Sequence, residues 1–257
     1  MPHILLTGAG FSRNWGGWLV NEAFEYLLTA KEVDDQLRRV LWQDKFAGFN
    51  FEYTLARLQK ADKESPNPNT TKLLHDLNSA LAGMFNYMSL GFLGKPFEFQ
   101  SNLTYMVRNF LIRFDAIFTL NQDLLLEQKY LDDNISLTTT RSWSGWQIPG
   151  TRFIGNSPIQ GNIHDRTQLR EPDTSKPFVE QPRMQPYYKL HGSSNFVSST
   201  GRMLIMGGNK VDNIATHPLL EWYTRQFSTY LHRTGCRLMI IGYSFSDEHI
   251  NSMVCKR

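Results

Sequence analysis

The run Ile4-Leu5-Leu6-Thr7, leading into Gly8-Ala9-Gly10-Phe11-Ser12-Arg13, constrains this chain more than any other stretch. A short apolar run that stops at two glycines reads as a buried strand, passed through a tight turn to the start of a helix. Such a turn lets backbone N–H groups approach and hold an anion, most often a pyrophosphate. Gly8-x-Gly10 supplies two of the three glycines of the usual dinucleotide fingerprint, and position 13 is Arg. From these residues alone, a phosphate cradle and a purely structural turn are equally good readings.

The rest of the chain supplies more strands of the same kind. Phe114–Leu120 is an apolar, β-branched run that ends in Asn121-Gln122-Asp123, with a helix start at Leu124. Tyr187–Leu190 is followed by His191-Gly192-Ser193-Ser194-Asn195, and Arg237–Ile241 by Gly242-Tyr243-Ser244-Phe245-Ser246-Asp247. Met203–Met206 reads as a further strand ending at Gly207-Gly208. Between them lie helical periods. Trp18 to Leu28 has Ser12 or Asn14 as a candidate cap, and Pro218 to His232 puts Leu219, Trp222, Tyr223, Phe227 and Leu231 on one side.

Residues 31–113 read as almost wholly helical, at about 32–41, 51–61, 71–90 and 101–113, with an exposed loop at Lys63–Asn69. That length exceeds a simple crossover and predicts a helical lobe inserted after the first βα unit. Residues 132–186 are rich in Gly, Pro, Ser and Thr and lose periodicity, which predicts a long loop-rich segment. The expected fold class is α/β: a Rossmann-like, mostly parallel sheet with helices on both faces, plus the inserted helical lobe.

Composition excludes several function classes. A formal charge of +3 over 257 residues, with charged residues at 20%, indicates no nucleic-acid stripe. Cys236 and Cys255 are the only cysteines, too few for a disulfide scaffold or a four-cysteine zinc module. No 18-residue apolar run occurs, so no membrane span is expected. Met1-Pro2-His3 runs directly into a strand and leaves no room for a signal peptide, which points to the cytoplasm.

In an open parallel sheet the ligand crevice lies beyond the carboxyl ends of the strands. Gly8–Ser12, Asn121–Asp123, His191-Gly192 and Gly242–Asp247 all fall at such ends and are expected to wall one crevice. His191 suits proton transfer near neutral pH, or else caps a strand by satisfying a backbone carbonyl. Asn121 reads as holding a hydroxyl or amide and Asp123 as orienting a partner or accepting a ribose hydroxyl, or the two as a helix cap with an Asx turn. Ser244 and Asp247 read as ribose or phosphate contacts, or as the end of the last strand.

These four motifs, in this order, resemble the sirtuin (Sir2) superfamily, and more closely its SIR2-like branch found in bacterial anti-phage defence NADases. The resemblance brackets residues 4–250 and implies a single SIR2-like domain over 1–257. It implies an NAD-binding Rossmann-type lobe, with NAD as substrate. The cofactor-binding residues it implies are Gly8, Ala9, Gly10, Phe11, Ser12 and Arg13 of the phosphate loop, Asp123 near the nicotinamide pocket, and Gly242 and Ser244. It makes Asn121 and His191 catalytic.

Family deacylases carry a four-cysteine zinc module that this chain cannot build, so no metal and no zinc are expected. The activity implied is NAD+ hydrolysis to nicotinamide and ADP-ribose, serving defence by NAD depletion. A zinc-free deacylase or ADP-ribosyltransferase, or a non-catalytic NAD or ADP-ribose sensor, is the alternative. The family also implies a homo-oligomer or a partner defence protein, and normally continues past the point where this chain stops.

Overall fold

A computed structural model of the chain describes residues 1–102, 105–131, 143–155, 167–199 and 201–255. β1 (His3–Thr7) ends at the glycine turn, which becomes the single helical turn α1 (Ala9–Ser12) and a 3-10 turn at Arg13–Trp15. Four longer helices follow: α2 (Val20–Thr29), α3 (Asp35–Phe46), α4 (Phe51–Glu64) and α5 (Pro68–Leu93). The short α6 (Val107–Leu111) leads to β2 (Ala116–Thr119) and α7 (Leu125–Lys129). Then come β3 (Gly145–Gln147), β4 (Thr151–Phe153), β5 (Arg170–Pro172), β6 (Met184–Lys189), β7 (Gly192–Ser198) and β8 (Gly201–Leu204). The last described elements are α8 (Lys210–Ala215), α9 (Pro218–Leu231), β9 (Arg237–Ile241) and α10 (Glu248–Cys255).

Five strands form an all-parallel sheet in the order β3-β6-β2-β1-β9, flanked by helices. This is the Rossmann-like α/β architecture that the sequence predicts. Ile4, Leu5 and Leu6 of β1 and Ile117 and Phe118 of β2 are fully buried, as expected for central parallel strands covered on both faces. Phe118 stacks on Tyr188 of β6 with ring centroids 4.8 Å apart, and Phe227 of α9 packs on it at 4.9 Å. Strand order reverses around β1. The chain passes outward to β2 and β6, then returns across β1 to β9, which opens a crevice at the carboxyl ends.

Helices α2 to α5 gather a second apolar cluster, including Phe24, Leu27, Leu41, Leu55, Leu77 and Leu81. Their starts are set locally: the side chains of Asp34, Asn50 and Asn67 accept the backbone N–H groups of Leu37, Tyr53 and Thr70. Pro68 takes the first helical position of α5, where a missing N–H costs nothing. The loop expected at Lys63–Asn69 therefore shrinks to Ser65–Asn67. The helix expected at 101–113 is confined to Val107–Leu111 among the described residues. Neither Ser12 nor Asn14 caps α2, which begins at Val20 with a Glu22 carboxylate oxygen accepting the Leu19 N–H.

The larger difference lies on both sides of β6. Residues 143–186 carry β3, β4 and β5 as well as the start of β6, while 132–142 and 156–166 of the expected loop-rich segment lie outside the described residues. β4, β5, β7 and β8 form a second, mixed sheet, in which β7 and β8 pair antiparallel. The strand expected at 203–206 is therefore β8 of this sheet and not a member of the parallel one. Ser193, Ser194 and Asn195 have low strand propensity, yet they are buried in β7, where tertiary pairing overrides propensity.

Glycine is required where the turns after β1 and β9 meet. Gly242 has φ +68°, and a Cβ there would lie 2.1 Å from the Phe11 nitrogen. Gly242→Ala is expected to destabilise the protein by about 2–5 kcal/mol, combining left-handed strain with overpacking. Gly48, at φ +86° with nothing within 4 Å of a Cβ, is the control. Gly48→Ala should cost only about 1–2 kcal/mol. Urea unfolding midpoints check both, and equal losses would contradict the packing argument.

Candidate active site

The carboxyl ends of the adjacent strands β6, β2, β1 and β9 open into a cavity of about 1430 Å³. Gly8, Ala9, Gly10, Asn121, Asp123, His191, Gly242 and Ser244 all line it. The opposite wall comes from α2, α4 and α5, including Glu52, Tyr53, Met84 and Phe85, with the segment 205–212 beside them. The structure thus brings together most of the residues singled out from sequence.

The glycine turn serves the sheet first. The Gly8 N–H donates to the Ile241 carbonyl at 3.0 Å and the Gly10 N–H to the Gly242 carbonyl at 2.9 Å. Cβ atoms at Gly8 or Gly10 would lie 2.6 Å from the Gly242 oxygen or 2.9 Å from its Cα. Both glycines are therefore explained by close backbone approach, and their amides are already spent. Phe11 is buried against Trp15, with ring centroids 5.4 Å apart. Arg13 does not line the cavity: its guanidinium pairs with Glu22 at 2.6 Å and donates to the Gly17 carbonyl. Ser244 is exposed on the cavity wall, its hydroxyl 2.9 Å from that of Ser246.

Behind the turn lies a buried chain of hydrogen bonds whose direction is fixed. An amide nitrogen only donates, so the Ser12 hydroxyl accepts from Asn121 and donates its own hydrogen to Asp123 Oδ2 at 2.8 Å. The bond from Asn121 Nδ2 to Ser12 Oγ is 3.0 Å. Asp123 Oδ1 accepts the Leu125 N–H at 3.0 Å. Both Asp123 oxygens are engaged, so this acid positions its neighbours. Asn121 is left with its Oδ1, an acceptor, and the second N–H of its Nδ2, a donor. Below it, Lys189 is completely buried and donates to the Asp123 carbonyl at 2.5 Å and to Glu127 at 2.6 Å. Gln122 donates to the carbonyls of His191 and Ile205, tying the β2 end to the start of β7.

His191 is also buried, and its Nε2 lies 3.1 Å from Nε2 of His249. The Lys210 ammonium donates to Asp247 Oδ1 at 2.6 Å and pairs with Glu52 at 3.2 Å. This links the loop between β9 and α10 to α8 and α4. Sequence reasoning weighed Asp247 but missed His249, Lys210 and Glu52. His249 stands two residues beyond Asp247, just past the motif, and this adjacency was its only signal. Lys210 and Glu52 sit on helices far away in sequence and gave none.

A family model for the SIR2-like domain matches residues 115–257. The chain belongs to the SIR2-like domain family. No curated protein matches it. SIR2 proteins use NAD, and the matched region of this SIR2-like chain contains Asn121, Asp123, His191, Gly242 and Ser244. The glycine turn lies before it. Among the described residues, no helix is long and apolar enough to cross a membrane.

His191, Asp247 and His249 of the SIR2-like chain have donor atoms all within 4.8 Å of one another, the spread a shared cation would need. The Lys210 ammonium already supplies the carboxylate with its positive partner. Burial pushes the His191 imidazole down to about 3; Lys210 and His249 act in the same direction and Asp247 against it. Burial lowers His249 as well. Burial alone would raise Asp247, but the imidazoles when protonated, and Lys210, outweigh it and hold the carboxyl below its usual range. The cluster at neutral pH is thus two uncharged imidazoles beside an ammonium–carboxylate pair.

Below the unfolded histidine pKa of about 6.5, the unfolded chain binds a proton at His191 that the folded one refuses. Stability from this group is therefore present above pH 6.5 and falls as pH drops from there toward about 3. Between pH 7 and pH 5 the parent protein should lose about 2 kcal/mol more than His191→Asn. Urea unfolding at both pH values measures this, and equal losses would show that His191 is not held neutral.

Proposed function

We propose that this chain hydrolyses NAD+, breaking the nicotinamide–ribose bond with water to give nicotinamide, ADP-ribose and a proton. The observation that carries the reading is that Asn121 and His191, at the ends of neighbouring strands β2 and β6, line one large cavity. As nicotinamide leaves, positive charge develops at the ribosyl centre, and preorganised polar groups stabilise it better than mobile water does. Asn121 Oδ1, held outward by the Asn121–Ser12–Asp123 chain, accepts a hydrogen bond from the attacking water or a ribose hydroxyl and orients it. His191, uncharged at neutral pH, has a lone pair available to take the proton. Gly8 to Ser12, with Gly242 and Ser244, would face the phosphates and ribose. Since Gly8 and Gly10 have committed their amides, Ala9 and Ser244 are the better candidates for direct contact, while Phe11, Ser12 and Asp123 support from behind. Arg13 would reach a phosphate only by leaving Glu22.

The family resemblance extends the proposal to anti-phage defence by depletion of cytoplasmic NAD, acting as a homo-oligomer or with a partner defence protein. It also makes 1–257 one SIR2-like domain with 31–113 as its helical insertion and the cavity's far wall. Incubation of the purified protein with NAD, with products resolved by chromatography, should yield nicotinamide and ADP-ribose in equal amounts. His191→Ala and Asn121→Ala should each lower the rate by about 10²-fold or more. Full activity in both folded variants would contradict the reading. So would nicotinamide release that requires an acyl-lysine peptide or a protein acceptor.

A further inference from the structure

We infer that His249 is the proton exit of this site, taking from His191 the proton that His191 gains during turnover. The inference rests on the hydrolase reading for its reaction and on the geometry for its path. His191 is buried, with 3% of its surface exposed, and its Nε2 lies 3.1 Å from Nε2 of His249. Two imidazole nitrogens at that distance share one proton. When it sits on His191 Nε2, His191 Nδ1 carries the free lone pair and His249 Nε2 accepts. His249 is only half-buried and lies on the cavity rim beside Ser246 and Ser252.

The step balances without any further reactant. His191 Nδ1 accepts a proton from the attacking water or ribose hydroxyl, and the Nε2 proton passes to His249 Nε2. His249 then loses its Nδ1 proton to solvent. Once products leave, His191 gives its Nδ1 proton to the water that refills the cavity, while His249 regains a proton at Nδ1 and returns the shared one to His191 Nε2, so each ring again carries one N–H. A relay is needed because burial makes a protonated His191 unstable where it stands. The groups around the pair fit this role. The Asp247 carboxylate lies against both rings and favours the transient imidazolium. Lys210, clamped between Asp247 and Glu52, opposes it and keeps the resting pair neutral. The Tyr243 hydroxyl accepts the Asp247 N–H at 3.1 Å and fixes the loop that carries the pair.

The test compares His249→Gln and His249→Ala with the parent on NAD. Glutamine can still hydrogen-bond to His191 but cannot pass a proton. Both variants should therefore lose about 10²-fold in kcat with KM changed less than twofold. Added imidazole should restore turnover in His249→Ala, increasingly as pH rises through the imidazole pKa. A His249→Gln protein with parental kcat would overturn the inference, leaving His249 a packing partner.

Nicotinamide release by the parent is measured first, and its absence overturns the hydrolase reading alone. The relay is then judged by ¹⁵N NMR of the imidazoles. His191 and His249 ring shifts that move together on acidification support the shared proton. Independent titration overturns it.

Discussion

The crevice exists because the turns after β1 and β9 meet backbone to backbone. The Gly10 amide bonds the Gly242 carbonyl at 2.9 Å, and a Cβ at Gly8, Gly10 or Gly242 would drive the two turns apart. This contact closes the floor between the two strands at which the sheet order reverses. It also accounts for a glycine pattern that satisfies only part of a nucleotide fingerprint. Two glycines meet the packing need, and the third position is free to be Arg13, which turns aside to Glu22.

On that floor stands a layer of polar groups inside an apolar core, each oriented by the one behind it. Lys189 holds the Asp123 carbonyl and Glu127, Asp123 holds Ser12, and Ser12 holds Asn121. Removing one member of a buried ion pair such as Lys189–Glu127 leaves an uncompensated charge at a cost of about 3–5 kcal/mol. Such a cost gives the loop after β2 one geometry. The histidine side is built differently: His191 belongs to the rigid β6 end, while Asp247, His249 and Lys210 come from elements on the rim. One side of the site fixes an acceptor, and the other side can move a proton.

Much of this was legible in the sequence, for a physical reason. Central parallel strands must be apolar on both faces, so Ile4–Leu6 and Ile117-Phe118 announce themselves, the edge strand at Leu238–Ile241 is apolar as well, and strand ends in such a sheet mark the crevice. Asn121 and His191 followed from that rule. The second sheet did not, because Ser193, Ser194 and Asn195 are turn-forming residues that become buried strand only through their partners. Nor did the Glu52–Lys210–Asp247–His249 chain, whose members lie on α4, α8 and the α10 entrance. No periodicity links residues so far apart. Asp123 was legible as a residue that orients a partner, accepts a ribose hydroxyl or makes an Asx turn; the hydrogen bonds engage one of its oxygens with Ser12 and the other with the Leu125 N–H.

The central claim is that NAD occupies the crevice over β6, β2, β1 and β9. Hydrogen–deuterium exchange of the His191→Ala protein, with and without saturating NAD, tests it without turnover. The account predicts slowed exchange at 8–13, 119–124 and 242–249, with little change in β4, β5 and β8. Protection confined to other segments, or none at saturating NAD, would contradict it.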